Sequence, residues 1–499
     1  MIRHFAVATV LSAAAPAALA DVTPEQVWDH WQRLYATWGA TLTADRQVRD
    51  DAVLRLEGIR YVSGDELSRA TGYSAWMTLE DIGDGRVRFA MAPDQDFLVK
   101  LSPPDDDPVR LPFTIRYDGL TMVIAGDPDR LETATTMDTL RIDETVTTDT
   151  EAALSILLEM EDVAASDVSD LTGGDGPPYE GDLTAAAIRL AVTGNDPETG
   201  APVDSRTLLD DVAVAFRVEP NAMPAAGAVL PIPFTGDLAI TTASGRSTGL
   251  VVADAGMPPA QFDVTTGRSV TAVSLDEAGL AGEARTDGLV YDITLGGMPE
   301  PMRITIGAGS SALTVPFGEI GQPGGFRFAF GLQDMILDDA IWSMFDPAAA
   351  LDRTAIGLSL DIGGTMRWLT DITSMDADSP EPPALFDRVS IDTLDLSGLG
   401  AGLTGEGAFD IDFSRPGPRP GAPHVEGALD LAATGIDALI AQLVAAGLVP
   451  QEEVLGLRMG LALIAVPGDE PGSYNSEIRV PGDGTAVVNG VPYPLGAME

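Results

Sequence analysis

Residues 211–218 read Asp-Val-Ala-Val-Ala-Phe-Arg-Val, and residues 356–362 read Ile-Gly-Leu-Ser-Leu-Asp-Ile. In both, large apolar side chains take every second position: Val212, Val214, Phe216 and Val218, then Ile356, Leu358, Leu360 and Ile362. Successive side chains of an extended chain point to opposite faces, so this spacing gives a strand with one oily and one polar face. The period recurs at Val87, Phe89 and Met91, at Phe113, Ile115 and Tyr117, and at Phe409, Ile411 and Phe413. Leu120, Met122 and Ile124 continue it beyond a turn at Asp118-Gly119. Half-wet strands belong to antiparallel sheets, so the expected fold is mainly β (α+β), with large antiparallel sheets that are either curved or stacked as a sandwich.

Helical signals are few. Thr23, Pro24 and Gln26 make a capping box with proline at the first helical position, and Gly39 supplies a stop. Between them Val27, Trp28, Trp31, Leu34, Tyr35 and Trp38 share one side of an amphipathic helix. Its tryptophans are expected to cover a sheet, with docking on a partner or membrane surface as the alternative. Residues 151–163 have helix-forming composition, but Leu154, Ile156, Leu158 and Met160 alternate, and a strand is expected there. Asp338 caps a short helix, 339–345, that carries Ile341, Trp342 and Phe345 and stops at Pro347. A helix pair over 437–465 breaks at Gly447 and Pro450, and a terminal hairpin turns at Gly482-Asp483-Gly484 and Asn489-Gly490. Gly- and Pro-rich stretches at 173–179, 376–383 and 416–423 read as loops. The expected domains are 21–245, with the first helix, and 246–499, with the remaining helices.

The 499 residues carry a formal charge of −47, and Lys100 is the sole lysine. Such a chain repels phosphate backbones, which excludes nucleic acid as a partner. With no cysteine there are neither disulfides nor thiolate metal sites, and stability must come from buried apolar area. Arg3 and His4 precede an apolar run from Phe5 to Ala14, and Ala18-Leu19-Ala20 ends before Asp21. This is the pattern of a secretory signal peptide over 1–20 cleaved between Ala20 and Asp21, which predicts a periplasmic protein, with full secretion second. Beyond that run no apolar stretch reaches the roughly 18 residues of a spanning helix, so the mature chain is expected to lack a transmembrane segment.

Residues that usually do chemistry are scarce. Beyond His4 the chain has His30, at the edge of the first helix's apolar arc, and His424, expected in a loop after a Pro-rich turn. Neither has a neighbouring His or Cys, so a triad or zinc centre is not expected. Serine-nucleophile, P-loop and dinucleotide fingerprints are missing. Among 76 acids some pair always suits a carboxylate hydrolase, so such a pair has no diagnostic value. Oxygen-rich turns at Asp81, Asp84 and Gly85, at Asp105 to Asp107 and at Asn195 to Gly200 suit calcium, yet none has a loop spacing of a known type. No catalytic residue, metal ligand or cofactor is assigned.

A more concrete idea comes from area. The half-apolar strands outnumber the helices that would cover them, so their oily faces either meet one another or leave a groove, partly lidded by the helices, for a hydrophobic ligand. Trp28, Trp31, Trp38 and Trp342 are the candidate ligand-binding residues.

Several stretches resemble an uncharacterised alphaproteobacterial family catalogued as domain of unknown function 2125. They are TPEQVWDHWQRL from Thr23, DDAIWSMFDPAAALDR from Asp338, LTGEGAFDIDF from Leu403, GALDLAATGIDALIAQLVAAGLVPQEE from Gly427 and NGVPYPL from Asn489. The resemblance implies an exported envelope protein without an assigned activity. The C-terminal pattern of strands, helix pair and hairpin is also similar to AsmA-like envelope proteins, which implies lipid handling. The expected function is therefore a non-enzymatic envelope scaffold or a carrier of a lipid-like ligand, whose partner is a hydrophobic small molecule or an envelope protein. The alternatives are a calcium-assisted adhesion module and a carboxylate-dependent hydrolase.

Overall fold

The computed structural model describes residues 21–64, 68–101, 109–147, 153–173, 179–195, 200–220, 234–251, 259–296, 301–372, 382–419 and 421–494. Residues 1–20, with the signal segment and Ala20, lie outside this set, as do Asp105 to Asp107 and most of 173–179 and 376–383.

Helix α1 (Pro24–Thr37) starts as its sequence dictates, with Thr23 and Gln26 exchanging the two bonds of a capping box. A meander of β1 (Ala40–Asp50), β2 (Val53–Gly64) and β3 (Ser68–Gly83) follows. β3 then faces two shorter strands placed end to end, β4 (Arg86–Met91) and β5 (Asp94–Leu101), which pair in turn with β7 (Thr121–Asp127) and β6 (Val109–Asp118). Long strands come next: β8 (Arg130–Thr147), β9 (Ala153–Asp170), β10 (Tyr179–Asn195) and β11 (Pro202–Pro220). The end-to-end arrangement returns with β12 (Phe234–Thr242) and β13 (Ser244–Val251), then β14 (Ala260–Thr266) and β15 (Ser269–Asp276). The sheet goes on through β16 (Gly279–Thr294), β17 (Met302–Pro316), β18 (Gly324–Leu337), β19 (Ile356–Trp368), β20 (Ala384–Gly398), β21 (Ala401–Pro416) and β22 (Pro423–Thr434). β23 (Val466–Pro467), β24 (Tyr474–Val480), β25 (Thr485–Val488) and β26 (Val491–Pro494) complete it.

Every described strand belongs to one antiparallel sheet of 26 strands, and sequence neighbours are almost always ladder neighbours. The strand expected over 151–163 is part of β9. The alternation that suggested either stacked layers or a groove therefore places the apolar side chains side by side on one face of a single sheet.

A seam runs across the middle of the sheet. Gly58, Asp162, Asp211, Gly288 and Asp334 interrupt their strands with left-handed backbone, φ +63°, +49°, +47°, +63° and +54°. The junctions between β4 and β5, β6 and β7, β12 and β13, and β14 and β15 fall on the same line. Gly and Asp tolerate this conformation better than branched residues do. At the seam the alternation slips by one residue, so Leu56 and Ile59 are both buried under α1 although three residues apart. Asp118-Gly119 is one such junction: β6 and β7 continue in line through it, where the sequence suggested a turn.

The main core lies at the N-terminal end. Val27 and Trp28 of α1 pack with Leu54, Leu56, Leu79, Val87, Phe89, Ile124 and Leu131 of the sheet. Full burial of a side chain of this size stabilises by about 1.5–3 kcal/mol. Helix α2 (Asp339–Trp342) is capped by the Asp338 carboxylate, which accepts from the Ile341 amide at 3.0 Å. The C-terminal pair is present as α3 (Ile436–Ala445) and, after a single turn of 3-10 helix, α4 (Val454–Ile464). α3 packs on β21 and buries Ile440, but α4 buries none of its residues, so only half of the pair covers the sheet as expected. Leu455, Met459 and Leu463, spaced by four, form an apolar ridge of α4 that is 63–69 % exposed. No described helix is long and apolar enough to cross a membrane.

Candidate functional site

The register of the sheet assembles the strand faces into rows. Phe216 of β11 faces Leu238, which faces Val273, Gly282, Leu313 and Phe328 on successive strands. The row continues through Ile362, Ile391, Gly407, Leu429, Ile478 and Val488. At the usual strand spacing its eleven steps span about 50 Å. A parallel row two residues along holds Val214, Ile240, Phe330, Leu360, Leu394 and Leu431, with Thr271, Ala284, Ser311 and Gly405 between them. Neither row contains an ionisable side chain from Phe216 or Val214 onward.

The charges sit on the other face. Arg327 bonds Asp361 at 2.7 Å, Arg303 bonds Asp292 at 2.7 Å, Arg388 bonds Asp410 at 2.7 Å and Arg116 bonds Asp143 at 2.6 Å. Such exposed pairs contribute about 0–1 kcal/mol each, so their main effect is to make that face wet. A groove of about 910 Å³ crosses this face, but it is lined by alanines between Glu132, Glu180, Asp182, Asp237 and Glu283, without an apolar surface comparable to the rows.

The apolar face is left open. Leu238, Leu313, Phe328, Phe330, Phe386, Leu396 and Phe413 are 37–46 % exposed. Single apolar side chains on a surface are ordinary, whereas a contiguous patch of more than several hundred Å² marks a binding surface.

Upstream of Phe216 the row passes Gly181, Asp167 and Thr133 and enters a cavity of about 630 Å³ between α1 and the sheet. Trp31, Leu34 and Tyr35 of α1, with Trp38 at its C-terminal cap, form one wall, and Tyr61, Phe97 and Tyr179 belong to the other. Tyr179 also leans on Phe216, ring centres 5.3 Å apart, joining the cavity wall to the head of the row. Asp167 is the one carboxylate among the described residues lining this cavity. Burial pushes its pKa up to about 6, a shift that its hydrogen bond from Thr133 only partly opposes. Burial also raises Tyr35 and Tyr179, with Asp167 adding to both.

The four tryptophans singled out from sequence separate here. Trp31 and Trp38 share the cavity, Trp31 edge-on to Phe89 at 5.4 Å. Trp28 is 3 % exposed inside the core. Trp342 is buried elsewhere, donating to the Leu337 carbonyl at 3.0 Å beneath the Arg353 guanidinium. His30 is fully buried, with Nδ1 3.0 Å from the Pro128 carbonyl and Nε2 2.7 Å from Ser169 Oγ. His424 is not in a loop: it is a buried member of β22, because the Pro-rich turn ends one residue before it, and its Nε2 lies 2.7 Å from Glu426. Of the oxygen-rich turns, Asp81 accepts from the Gly83 amide and Asp84 pairs with Arg86, while residues 196–199 of the turn at Asn195 to Gly200 lie outside the described residues. Asp167 and Tyr179 gave no sequence signal, one being an acid among 76 and the other following a Gly-Pro-rich stretch.

The family described as "Uncharacterized protein conserved in bacteria (DUF2125)" matches residues 249–498, from within β13 to the end of the sheet. No curated protein and no solved structure matches the chain.

Proposed function

We propose, from the premise that the chain belongs to this family of uncharacterised bacterial proteins, that it is a non-enzymatic carrier that holds the alkyl chains of a lipid-like ligand along its open apolar face. The observation behind this reading is the uncharged row from Phe216 to Val488, flanked by a second and backed by the face that carries the ion pairs. Apolar area of this extent is costly in water, and a mobile hydrocarbon chain lying across the strands would relieve that cost without needing directional contacts. Self-association of the same faces is opposed by a formal charge of −47 on each copy. The apolar run and Ala-Leu-Ala of residues 1–20 support export, and with it a periplasmic setting.

Native mass spectrometry of the purified protein, followed by solvent extraction, tests the proposal. Expected are mass increments that disappear on extraction, with alkyl-chain lipids recovered in the solvent. Protein that is reproducibly empty, and that takes up neither an added uncharged alkyl glucoside nor an added phosphatidylcholine, would overturn it.

A further inference from the structure

We propose that the cavity beneath α1 binds a cationic ammonium head, with Asp167 as counter-ion and the surrounding aromatic rings as its wall, while the attached alkyl chain follows the row from Phe216. This rests on the carrier reading above and adds to it the chemistry of the ligand's polar end.

The cavity's residues select the charge. A carboxylate in a largely apolar cavity needs a cation, and no arginine or lysine pairs with Asp167 among the described residues. Aromatic faces attract ammonium groups through their negative quadrupole, most strongly where water is excluded, and Trp31, Tyr35, Trp38 and Tyr179 supply them. An anionic head would meet both Asp167 and the strongly negative chain. The volume, about 630 Å³, is in the range of small-molecule sites.

Position links head to tail. Asp167 stands opposite Gly181, and Gly181 stands opposite Phe216. A Cβ at Gly181 would come within 2.9 Å of the Asp167 Cβ and 2.5 Å of the Ser166 carbonyl, so glycine keeps the way from carboxylate to row unobstructed. A ligand whose head reached Asp167 would therefore have its chain aimed at the uncharged face.

The test is a titration followed by the fluorescence of the tryptophans, of which Trp31 and Trp38 line the cavity, with probes below their micellar concentrations and in about 150 mM salt to screen the chain's overall charge. The probes are dodecyltrimethylammonium, dodecyl sulfate, dodecyl glucoside and tetramethylammonium. The wild type is expected to bind dodecyltrimethylammonium about tenfold or more tighter than the sulfate or the glucoside. It is expected to bind tetramethylammonium at least about a hundredfold more weakly, since the alkyl chain adds buried area. Asp167→Asn should reduce the preference for ammonium to about twofold, and Glu283→Gln, on the charged face, should not alter it. Tyr35→Phe should retain the preference and Tyr35→Leu weaken it. Equal affinity of the wild type for the three heads, or an Asp167→Asn protein that keeps the full wild-type preference for ammonium, would overturn the proposal. Tetramethylammonium binding as tightly as its dodecyl analogue would remove the row from it. Failure of the carrier reading would show separately, as absent binding of the uncharged glucoside.

Discussion

The imidazole of His30 and the hydroxyl of Ser169 meet at 2.7 Å, joining α1 to β9 across 139 residues of sequence, with both side chains sealed from solvent. Because the Pro128 carbonyl can only accept, Nδ1 carries the proton and Nε2 accepts from Ser169 Oγ. Arg33 donates to the same carbonyl at 2.7 Å, so these three hydrogen bonds tie a single turn of α1 to the sheet, two at the turn between β7 and β8 and one at β9. His30→Ala would orphan a buried hydroxyl and open a void. A loss of about 2–4 kcal/mol in denaturant unfolding is expected. A loss below about 0.5 kcal/mol would mean that the helix is held by packing alone.

The pH dependence of stability follows from two buried groups that act in opposite directions. Burial lowers the pKa of His30 from its usual 6.5, so the unfolded chain takes up this proton first and stability falls as the pH drops below that value. Asp167 is pushed up to about 6, so the folded chain takes up that proton first and stability rises as the pH falls from about 6 toward 4. Asp167→Asn is expected to stabilise the protein at pH 7 and to steepen the loss on acidification, because it leaves the histidine contribution unopposed. Melting temperatures of both proteins between pH 7.5 and 5 would check this, and parallel curves would refute it.

Helix α1 separates its tryptophans by depth. Trp28→Ala should cost about 3–5 kcal/mol, since its ring is 3 % exposed among Val27, Leu54 and Leu79. Trp31 is only partly buried, edge-on to Phe89, and Trp31→Ala should cost about half as much while enlarging the cavity. Equal losses from equilibrium unfolding would contradict the cavity between Trp31 and the sheet.

The caps at Thr23 and Asp338 and the strand alternation were legible in the sequence because each depends on residues within a few positions of one another. Whether the faces meet or stay open was not, since a sandwich strand and a strand of an open sheet have the same period. The seam was hidden for a related reason. Each half of β9 or β11 alternates normally, and a slip of one residue at Asp162 or Asp211 looks like noise to a reading by period. Asp167 gains its meaning from Gly181 and Phe216, which the register places beside it from 14 and 49 positions away.

At the seam itself, Asp162 and Asp211 hold φ of +49° and +47°. Glycine adopts this backbone freely and branched residues resist it. Asp162→Gly and Asp211→Gly should therefore stay within about 0.5 kcal/mol of the parent, while the valine variants lose about 1–2 kcal/mol each. Valine variants as stable as the glycine ones would show that the strands run straight through.

Adjacent residues on opposite faces give the most direct test of the carrier reading. Phe328 lies in the apolar row between Leu313 and Ile362 and is 46 % exposed; its neighbour Arg327 points the other way, to Asp361. Phe328→Glu loses cross-strand contacts worth about 1 kcal/mol, so the fold should survive, but it sets a charge in the path of any bound chain. Arg327→Gln gives up a surface pair worth about 0–1 kcal/mol and leaves that path untouched. Extracted lipid per mole of protein should fall severalfold in the first variant and match the wild type in the second. If both lose lipid equally, the ligand does not distinguish the faces; if neither does, it lies elsewhere.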